Sequence, residues 1–342
     1  MSGKKFEQEQ HTSPPWRGPR GGFPVVMKGP EYNPTRRDFL RTLSAGAGFV
    51  WLSPWRVSWA SPTADAGTLR LLYYTDLHTR VEWDTPLALD MAAAKMNEQG
   101  AELAIAGGDL ITDGFQSSSE TVAPRWNAYM KMHRSLRADV HPMIGNHDLV
   151  AADPDDGTPP SENPRREFLD HFALDRTYRS FDAQGYHFIF LDPIEVLRRP
   201  QRYRGYIDDE QLAWLKEDLA EVNPDTPIIL GTHIPLLTNF TQATEGATIA
   251  NPFHRVVENN REVLDVFRAH NLLLVLQGHV HVDELIRWRG TTFITGGAIC
   301  GRWWRGEWHG TNEGFGMVTL QPGRIDWEYI EYGWTARRPA HL

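Results

Sequence analysis

After residue 66, short apolar runs alternate with stretches of helical periodicity, and this alternation limits the fold more than any other feature of the sequence. The apolar runs include "TLRLLYY", "AELAIAG", "YHFIFL", "TPIILG" and "NLLLVLQG", while "PLALDMAAAKMNEQG" and "DDEQLAWLKEDLAEV" read as helices between them. In the latter, Asp208 can cap the helix with Gln211 three residues on. Strands that alternate with helices predict an α/β architecture.

The C-terminal part follows a different pattern. Residues "TTFITGGAIC" and "GFGMVTLQPGRIDWEYIEY" predict a strand and a hairpin without helices. We therefore expect a second, more antiparallel sheet near the end of the chain.

Composition excludes several classes of protein. The 342 residues are 41% apolar or aromatic, which is enough for one large domain or two modest ones. The net charge of −9 argues against a nucleic-acid polymer or an anionic membrane as the partner. The single cysteine, Cys300, excludes an intramolecular disulfide framework and a Cys-rich zinc site. We expect Cys300 to be a small buried hydrophobe.

Residues 1–66 differ from the rest. The chain up to Asn33 is rich in Gly, Pro, Lys and Arg, which predicts disorder. Arg36 and Arg37 in "TRRDFLR" then precede an apolar run shorter than the roughly 20 residues that a membrane span needs. The segment resembles a twin-arginine export signal, with a small-x-small cleavage pattern ending at Ala66. The alternative is an arginine pair at the start of an ordinary amphipathic helix.

The signal interpretation has consequences for where the protein acts. It predicts a signal segment over residues 1–66 and a folded domain over residues 67–342. It also predicts the twin-arginine export machinery as a partner, a periplasmic or extracellular location, and no stable membrane span.

Five apolar runs end in side chains that can bind metals. These candidate ligands are Asp76, His78, Asp109, Asn146, His233, His279 and His281. The ligand crevice of an open α/β sheet lies beyond the carboxyl ends of its strands, so ligands far apart in the chain can converge. In the D-x-H and H-x-H motifs, residues i and i+2 would also point the same way if the backbone were extended.

The ligand chemistry favours a pair of metal ions. Carboxylate, imidazole and amide groups without a thiolate suit divalent or trivalent Mn, Fe or Zn. Two ions in such centres lie about 3.5–4 Å apart, so one carboxylate must bridge them, and we expect Asp109 to do so. Such a pair can activate water as hydroxide and offset charge while phosphorus is attacked in line. Each motif alone has an ordinary interpretation as a turn or loop; their order along the chain is what favours a site.

The ordered blocks D-x-H, G-D, G-N-H-D, a lone H and G-H-x-H resemble those of calcineurin-like metallophosphoesterases, from Asp76 to His281. The resemblance implies two facing mixed β-sheets flanked by helices, a four-layer αββα sandwich. It implies a first metal site formed by Asp76, His78, Asp109 and His281 and a second formed by Asp109, Asn146, His233 and His279. It also implies that His147 contacts the phosphate and protonates the leaving group, with either Asp148 or Asp113 orienting it.

The predicted function is hydrolysis of a phosphomonoester or phosphodiester, with nucleotide-like substrates included. The stretch from "LDPIEV" to "QLAWLKEDL" resembles the branch of cyclic-nucleotide phosphodiesterases and purple-acid-phosphatase-like proteins. A metal-binding recognition module without turnover is the alternative, and the intact His147 argues against it. A third interpretation is a hydrolase of a lipid or polymer headgroup.

The segment "GGAICGRWWRGEWHG" supplies candidate substrate contacts. Tryptophans can stack on a ring and arginines can bind phosphate. The candidates are Arg302, Trp303, Trp304, Arg305 and Trp308. The alternative is that the tryptophans fill the space between this loop and the sheet.

Overall fold

The computed structural model describes residues 68–338, so the predicted signal segment and its cleavage site lie outside the described residues. The strands are β1 (Leu69–Tyr74), β2 (Leu103–Ala106), β3 (Asp139–Pro142), β4 (Arg179–Ala183), β5 (Tyr186–Leu191), β6 (Ile194–Val196), β7 (Tyr203–Gly205), β8 (Pro227–Thr232), β9 (Asn271–Gln277), β10 (Glu284–Trp288), β11 (Thr291–Thr295), β12 (Gly314–Gln321) and β13 (Arg324–Glu331). The helices are α1 (Thr85–Glu98), α2 (Ser119–Ser135), α3 (Arg166–Phe172), α4 (Asp209–Ala220), α5 (Phe240–Thr244) and α6 (Asn260–Val266), with 3₁₀ turns at Asn146–Asp148 and Phe267–Ala269.

The strands form two large mixed sheets. The first has the order β13-β12-β1-β2-β3, and β1, β2 and β3 run parallel. The second has the order β10-β11-β9-β8-β5-β4, with a parallel centre and one antiparallel strand at each edge. Strands β6 and β7 pair separately. The alternation of strands and helices therefore predicted the α/β class correctly.

The expectation that the C-terminal strands form part of a second, more antiparallel sheet is correct for β11 but wrong for the last hairpin. The hairpin β12–β13 exists, but β12 pairs with β1, from Leu69↔Leu320 to Tyr73↔Gly316. The last two strands thus complete the sheet that the first strand begins. A hairpin pattern is local, whereas the choice of the next strand depends on tertiary packing.

The two sheets face each other across an apolar layer. Leu71 and Tyr73 of β1 pack in one cluster with Phe188 and Phe190 of the second sheet. Alternate residues of β1, such as Leu72, belong to the cluster that includes the outer helices. Because side chains of a strand alternate between its two faces, each sheet is covered by the other sheet on one side and by helices on the other. This is the four-layer sandwich implied by the resemblance.

Helix α4 follows its sequence signals closely. The Asp208 side chain accepts a hydrogen bond from the Gln211 backbone N–H at 2.8 Å, as the capping pattern predicted. Leu212, Leu215 and Leu219 are all buried, so their helical spacing marks the face that packs on the second sheet.

Within residues 68–338, no helix combines the length and the apolar character needed to cross a membrane.

A buried histidine joins the edge of the second sheet to α4. His187 of β5 bonds Asp182 Oδ1 through Nδ1 at 2.7 Å and Asp218 Oδ2 through Nε2 at 2.9 Å. Burial by itself lowers the pKa of His187, but the hydrogen bonds to the two carboxylates outweigh burial and raise this pKa above its usual value. Both ring nitrogens can donate only in the imidazolium form, so the contact depends on protonation.

This histidine predicts a pH-dependent stability. Because the pKa of His187 is higher in the folded than in the unfolded protein, protonation of His187 stabilises the fold. This stabilisation is complete below the unfolded pKa of about 6.5 and is lost as the pH rises through the folded pKa. His187→Gln should therefore lower the melting temperature more at pH 6 than at pH 9. Thermal unfolding of both proteins at the two pH values measures this difference.

The control is His133→Gln, because burial lowers the pKa of His133. The melting temperature of His133→Gln should not fall further below that of the wild type as the pH falls. Equal losses for His187→Gln at both pH values would show that His187 is not a charged contact.

Candidate active site

The structure brings the seven predicted ligands together at the carboxyl ends of strands from both sheets. Asp76 and His78 follow β1, Asp109 follows β2, and Asn146 lies in the turn after β3. His233 follows β8, and the H-x-H pair follows β9. The site therefore lies where the carboxyl ends of the two sheets meet, as expected for a ligand crevice in an α/β fold.

The backbone is not extended at the D-x-H and H-x-H motifs, so the alternation of an extended strand does not explain how their side chains converge. Five ligands have left-handed backbone conformations: Asp76 (φ 53°), His78 (φ 41°), Asp109 (φ 52°), His279 (φ 73°) and His281 (φ 60°). Non-glycine residues rarely adopt positive φ, and such strain of about 1–3 kcal/mol per residue persists only where the surroundings enforce it. At these five predicted ligands the backbone turns sharply, which helps the side chains to converge.

Close approach of two loops also shapes the site. Gly145 lies against the backbone of Asp109, and a Cβ at residue 145 would lie 2.2 Å from the Asp109 nitrogen. Only glycine fits such a contact. The turn after β3 is thus held directly against the loop after β2.

Asp109 occupies a central position among the ligands. Its Oδ1 accepts the His147 backbone N–H at 2.7 Å. Its Oδ2 lies 3.5 Å from His78 Nε2 and 3.2 Å from His233 Nε2. Asp76 Oδ1 lies farther from the same two nitrogens, at 3.9 Å from each. One carboxylate oxygen of Asp109 is therefore placed between the two predicted groups of ligands.

Three of the four predicted histidine ligands are oriented by backbone carbonyls. His233 Nδ1 bonds the Gly107 carbonyl at 2.8 Å, and His281 Nδ1 bonds the Gly301 carbonyl at 2.7 Å. His279 Nε2 bonds the His254 carbonyl at 2.9 Å. An imidazole that donates one N–H to a carbonyl keeps its other nitrogen as an acceptor, which is the usual arrangement of a metal ligand.

Buried polar atoms without hydrogen-bond partners provide a further test of whether the residues of this site could bind metal ions. Within residues 68–338, Asn146 Oδ1 and His233 Nε2 are buried and have no hydrogen-bond partner. Such atoms are costly unless something binds them. Both are acceptors of the kind that transition metals take, so the residues present fit a metal centre.

The electrostatics differ among the predicted ligands: they favour the ionisation states that metal binding needs at His279 and Asp109, whereas the carboxylates of Asp109 and Asp76 outweigh burial and raise the pKa of His233 to about 9. Burial lowers the pKa of His279 to about 3, with a further contribution from His233. Burial by itself raises the pKa of Asp109, but His233 and His147 outweigh it and hold this pKa well below its usual value. His279 is thus neutral and Asp109 ionised over the ordinary pH range, as metal binding requires.

Cys300 contributes a feature that the sequence did not reveal. It is buried, as expected, but its sulfur lies 3.9 Å from His281 Nδ1 and close to the ligand atoms of His78 and His281. Burial raises the pKa of the Cys300 thiol. Only tertiary packing brings this thiol beside the site.

His147 is oriented by a backbone amide. The Asp113 N–H donates to His147 Nδ1 at 3.0 Å, so the proton of the neutral ring is on Nε2. The Asp113 carboxylate is 3.9 Å from Nδ1, beyond hydrogen-bond distance. Of the two candidates, the residue that hydrogen-bonds the ring of His147 is therefore Asp113, through its main chain.

Asp148, the other candidate for orienting His147, has a different position. Its buried carboxylate accepts the backbone N–H groups of Leu110 at 2.7 Å, Ile111 at 3.2 Å and Gly145 at 2.8 Å. No hydrogen bond joins it to the His147 ring within residues 68–338. Asp148 instead ties the loop after β2 to the turn after β3, because both loops donate to one carboxylate.

A cavity of about 230 Å³ opens above these residues. Its lining comprises His78, Asp109, Asn146, His147, Tyr203, Phe240, His254, Arg255, His279, Val280, His281, Trp303 and Trp308. The predicted acid and five of the predicted ligands thus share one cavity with several aromatic rings.

The 302–309 segment contributes to the cavity only in part. Trp303 is 41% exposed, and its ring centroid lies 4.5 Å from that of His281. Trp304 does not line the cavity: it is 1% exposed, and its Nε1 donates to the His78 carbonyl at 3.0 Å. Placing Trp304 at the substrate is therefore wrong, because consecutive side chains in this turn point in different directions.

The two arginines of this segment are also absent from the cavity lining. The Arg302 guanidinium lies 5.1 Å from the Trp308 ring, and that of Arg305 lies 5.4 Å from the Trp83 ring. Their described contacts are with indole rings, so the expectation that they bind substrate phosphate is not supported.

Similarity to known proteins identifies the family to which the chain belongs. The profile of the calcineurin-like phosphoesterases matches residues 69–283, which contain all seven ligands. The chain belongs to this family. Members are metal-dependent hydrolases, and candidate metal-binding groups such as Asp109, His233 and His279 are present in this chain.

Curated relatives include phosphatases and a phosphodiesterase. The chain is 28% identical over 181 residues to purple acid phosphatase 23 of Arabidopsis thaliana, covering 48% of this chain and 33% of the relative. It is 27% identical over 246 residues to a probable cyclic nucleotide phosphodiesterase of Synechococcus sp., covering 67% of this chain and 80% of the relative. The chain thus spans about a third of the plant phosphatases that it matches.

Solved structures share the fold. A dimetal phosphatase from Danio rerio has a TM-score of 0.55 at 16% identity, covering 78% of this chain and 99% of that one. GAP50, described as the anchor in the inner membrane complex of Plasmodium, has a TM-score of 0.50 at 13% identity, covering 78% of this chain and 85% of that one. At these identities the likeness shows the calcineurin-like architecture alone.

Five residues that line the cavity were not among those predicted from the sequence. They are Tyr203, Phe240, His254, Arg255 and Val280. His254 and Arg255 lie in an irregular segment, where no strand end or periodic pattern marks a functional position. The adjacent imidazole and guanidinium in "PFHR" were the available signal.

The two neighbouring tryptophans give a matched test of this geometry. Trp304→Ala should lower the free energy of unfolding by about 3–5 kcal/mol, because it empties a buried site. Trp303→Ala should change stability much less, since the ring is partly exposed. Urea unfolding of the two variants measures both values, and equal losses would contradict the assignment.

Proposed function

We propose that the protein is a two-metal hydrolase of phosphoric esters. The observation that carries this proposal is the position of Asp109 Oδ2, 3.5 Å from His78 Nε2 and 3.2 Å from His233 Nε2. A carboxylate between two groups of ligands suits a bridge between two ions. The first group comprises Asp76, His78, Asp109 and His281, and the second comprises Asp109, Asn146, His233 and His279.

Two bound ions, drawn from Mn, Fe or Zn, would supply a hydroxide from water and offset negative charge on the phosphoryl oxygens. The residues of the chain orient the reaction. Asp109 is fixed by the His147 backbone, and His147 carries its proton on Nε2 because the Asp113 amide occupies Nδ1. As a water oxygen bonds to phosphorus, the bond to the leaving oxygen breaks and that oxygen takes the Nε2 proton of His147. The proton that the attacking water loses restores His147, so the ring ends in its starting form.

The relatives support both ester classes. Purple acid phosphatases and a probable cyclic nucleotide phosphodiesterase are both among them. We therefore propose a small phosphomonoester or phosphodiester as substrate, with nucleotide-like esters included. Turnover of an aryl phosphate, a bis-aryl phosphate and cyclic nucleotides by the metal-loaded protein distinguishes these classes. No turnover of any of them would favour the metal-binding recognition module.

The leaving-group dependence of a His147 variant tests the proposal. General acid catalysis contributes typically about 10²–10⁴-fold, and an alkoxide needs the proton more than a nitrophenolate does. His147→Asn should lower kcat in that range on alkyl phosphates and much less on nitrophenyl phosphates. Steady-state kinetics on the two ester types measure the ratio.

The control is Asp109→Asn, which should lower metal content and abolish turnover of both esters because it weakens both ion sites. His147→Asn should keep the metal content of the wild type. Equal losses on both esters, or loss of metal from His147→Asn, would contradict the role of His147 as an acid.

We also propose that the twin-arginine motif exports the protein to the periplasm or beyond. The support is "TRRDFLR" followed by a short apolar run. Replacing Arg36 and Arg37 by Lys should retain the protein in the cytoplasm, as cell fractionation would show. Exported protein whose N-terminal sequence begins at Met1 would contradict cleavage near Ala66.

A further inference from the structure

Arg255 is the single guanidinium in the lining of the catalytic cavity within the described part of the chain. It lies between α5 and α6, in an irregular segment that no sequence motif marked. Its side chain is partly buried, at 28% exposure, with its guanidinium carbon 5.3 Å from the Phe240 ring. A fixed cation in the wall of a cavity that handles phosphate esters needs a chemical explanation.

The guanidinium uses only part of its hydrogen-bonding capacity. Its Nη1 donates to Thr241 Oγ1 at 3.2 Å and forms an ion pair with Glu245. Within residues 68–338, no hydrogen bond engages Nε or Nη2 of Arg255. Arginine carries five N–H donors in a planar fork, so fixing one nitrogen orients the others. The remaining donors are preorganised for an acceptor that the chain does not supply.

The segment that carries Arg255 is anchored to the metal site. The carbonyl of His254, the preceding residue, accepts from the predicted ligand His279 at 2.9 Å. The Phe253 carbonyl accepts from the Gly205 N–H at 2.9 Å, and the Val257 N–H donates to the Pro235 carbonyl at 2.9 Å. These bonds on both sides fix Arg255 relative to the second predicted group of ligands.

Aromatic rings provide the other chemistry of the cavity. Trp303 and Trp308 line it and contact each other edge to face, with ring centroids 5.7 Å apart. Phe240, which lies against Arg255, lines it as well. An organic group held on these rings would lie in the same cavity as the guanidinium and the metal ligands.

We propose that Arg255 is a specificity-determining residue that binds a second anionic group, a phosphate or a carboxylate, on the organic part of the substrate. The tryptophans hold the organic part, and the metal centre holds the phosphoryl group that reacts. This inference rests on the proposed phosphoesterase function and narrows its substrate class to esters with two anionic groups. Charge-assisted hydrogen bonds of this kind are strong enough to dominate selectivity.

The competing interpretation is that the Arg255–Glu245 pair only holds the segment in place. The two interpretations make opposite predictions for Glu245. If the pair is structural, removing either partner breaks the same contact. If Arg255 binds substrate, Glu245 reduces its net charge, and removing Glu245 leaves a stronger anion-binding group.

The experiment measures binding of phosphonates, which cannot be hydrolysed, to the metal-loaded protein. Phenylphosphonate carries one anionic group, 3-carboxyphenylphosphonate adds a carboxylate, and 1,3-benzenediphosphonate adds a second phosphonate. The wild type should bind one of the latter two about tenfold more tightly than phenylphosphonate. Arg255→Gln should abolish that preference, whereas Glu245→Gln should keep or increase it. The favoured probe identifies the second group as carboxylate or phosphate.

Calorimetric titration gives the dissociation constants, and melting temperatures show that both variants fold. A wild type without preference, or equal loss of preference in Arg255→Gln and Glu245→Gln, would overturn the proposal. Hydrolysis is measured separately on the corresponding aryl phosphates. Absence of turnover with the binding preference intact would refute the hydrolase function and leave the anion site standing.

Discussion

The arrangement of the site depends on the contacts that the Asp109 carboxylate makes. Asp109 follows a strand of the first sheet, accepts the His147 N–H from the next loop, and lies 3.2 Å from His233, which follows a strand of the second sheet. A buried carboxylate is costly unless it is paired or bonded. Asp109 thus joins the carboxyl ends of both sheets, and the apolar layer between the sheets brings those ends together.

Backbone strain at the ligands depends on the rest of the fold. Left-handed conformations at residues such as Asp76, Asp109 and His281 are unfavourable on their own. The one at Asp109 persists because Asp148 binds three backbone amides from the loops after β2 and β3 and because Gly145 lets those loops touch. Asp148 therefore acts on the candidate metal centre through the scaffold, since its carboxylate positions the two loops that carry Asp109 and Asn146.

The cavity combines a strongly polar floor with aromatic and cationic walls. Metal ligands and His147 would handle the phosphoryl group, while Trp303 and Arg255 lie where the organic part of an ester would extend. The family sets the chemistry of the floor. The walls come from irregular segments after β8 and β11, and such segments can vary while the scaffold stays the same.

The sequence by itself determined the α/β class, the cap and buried face of α4, and the strand ends that carry the ligands. These features depend on local periodicity, capping and residue type, which a single chain displays directly. Tertiary structure alone decided that β12 pairs with β1, that Trp303 lines the cavity while Trp304 packs beneath it, and that Asp148 binds backbone amides. It also placed Arg255 beside the metal ligands. Each of these outcomes depends on which distant segments pack together, and no local pattern encodes that choice.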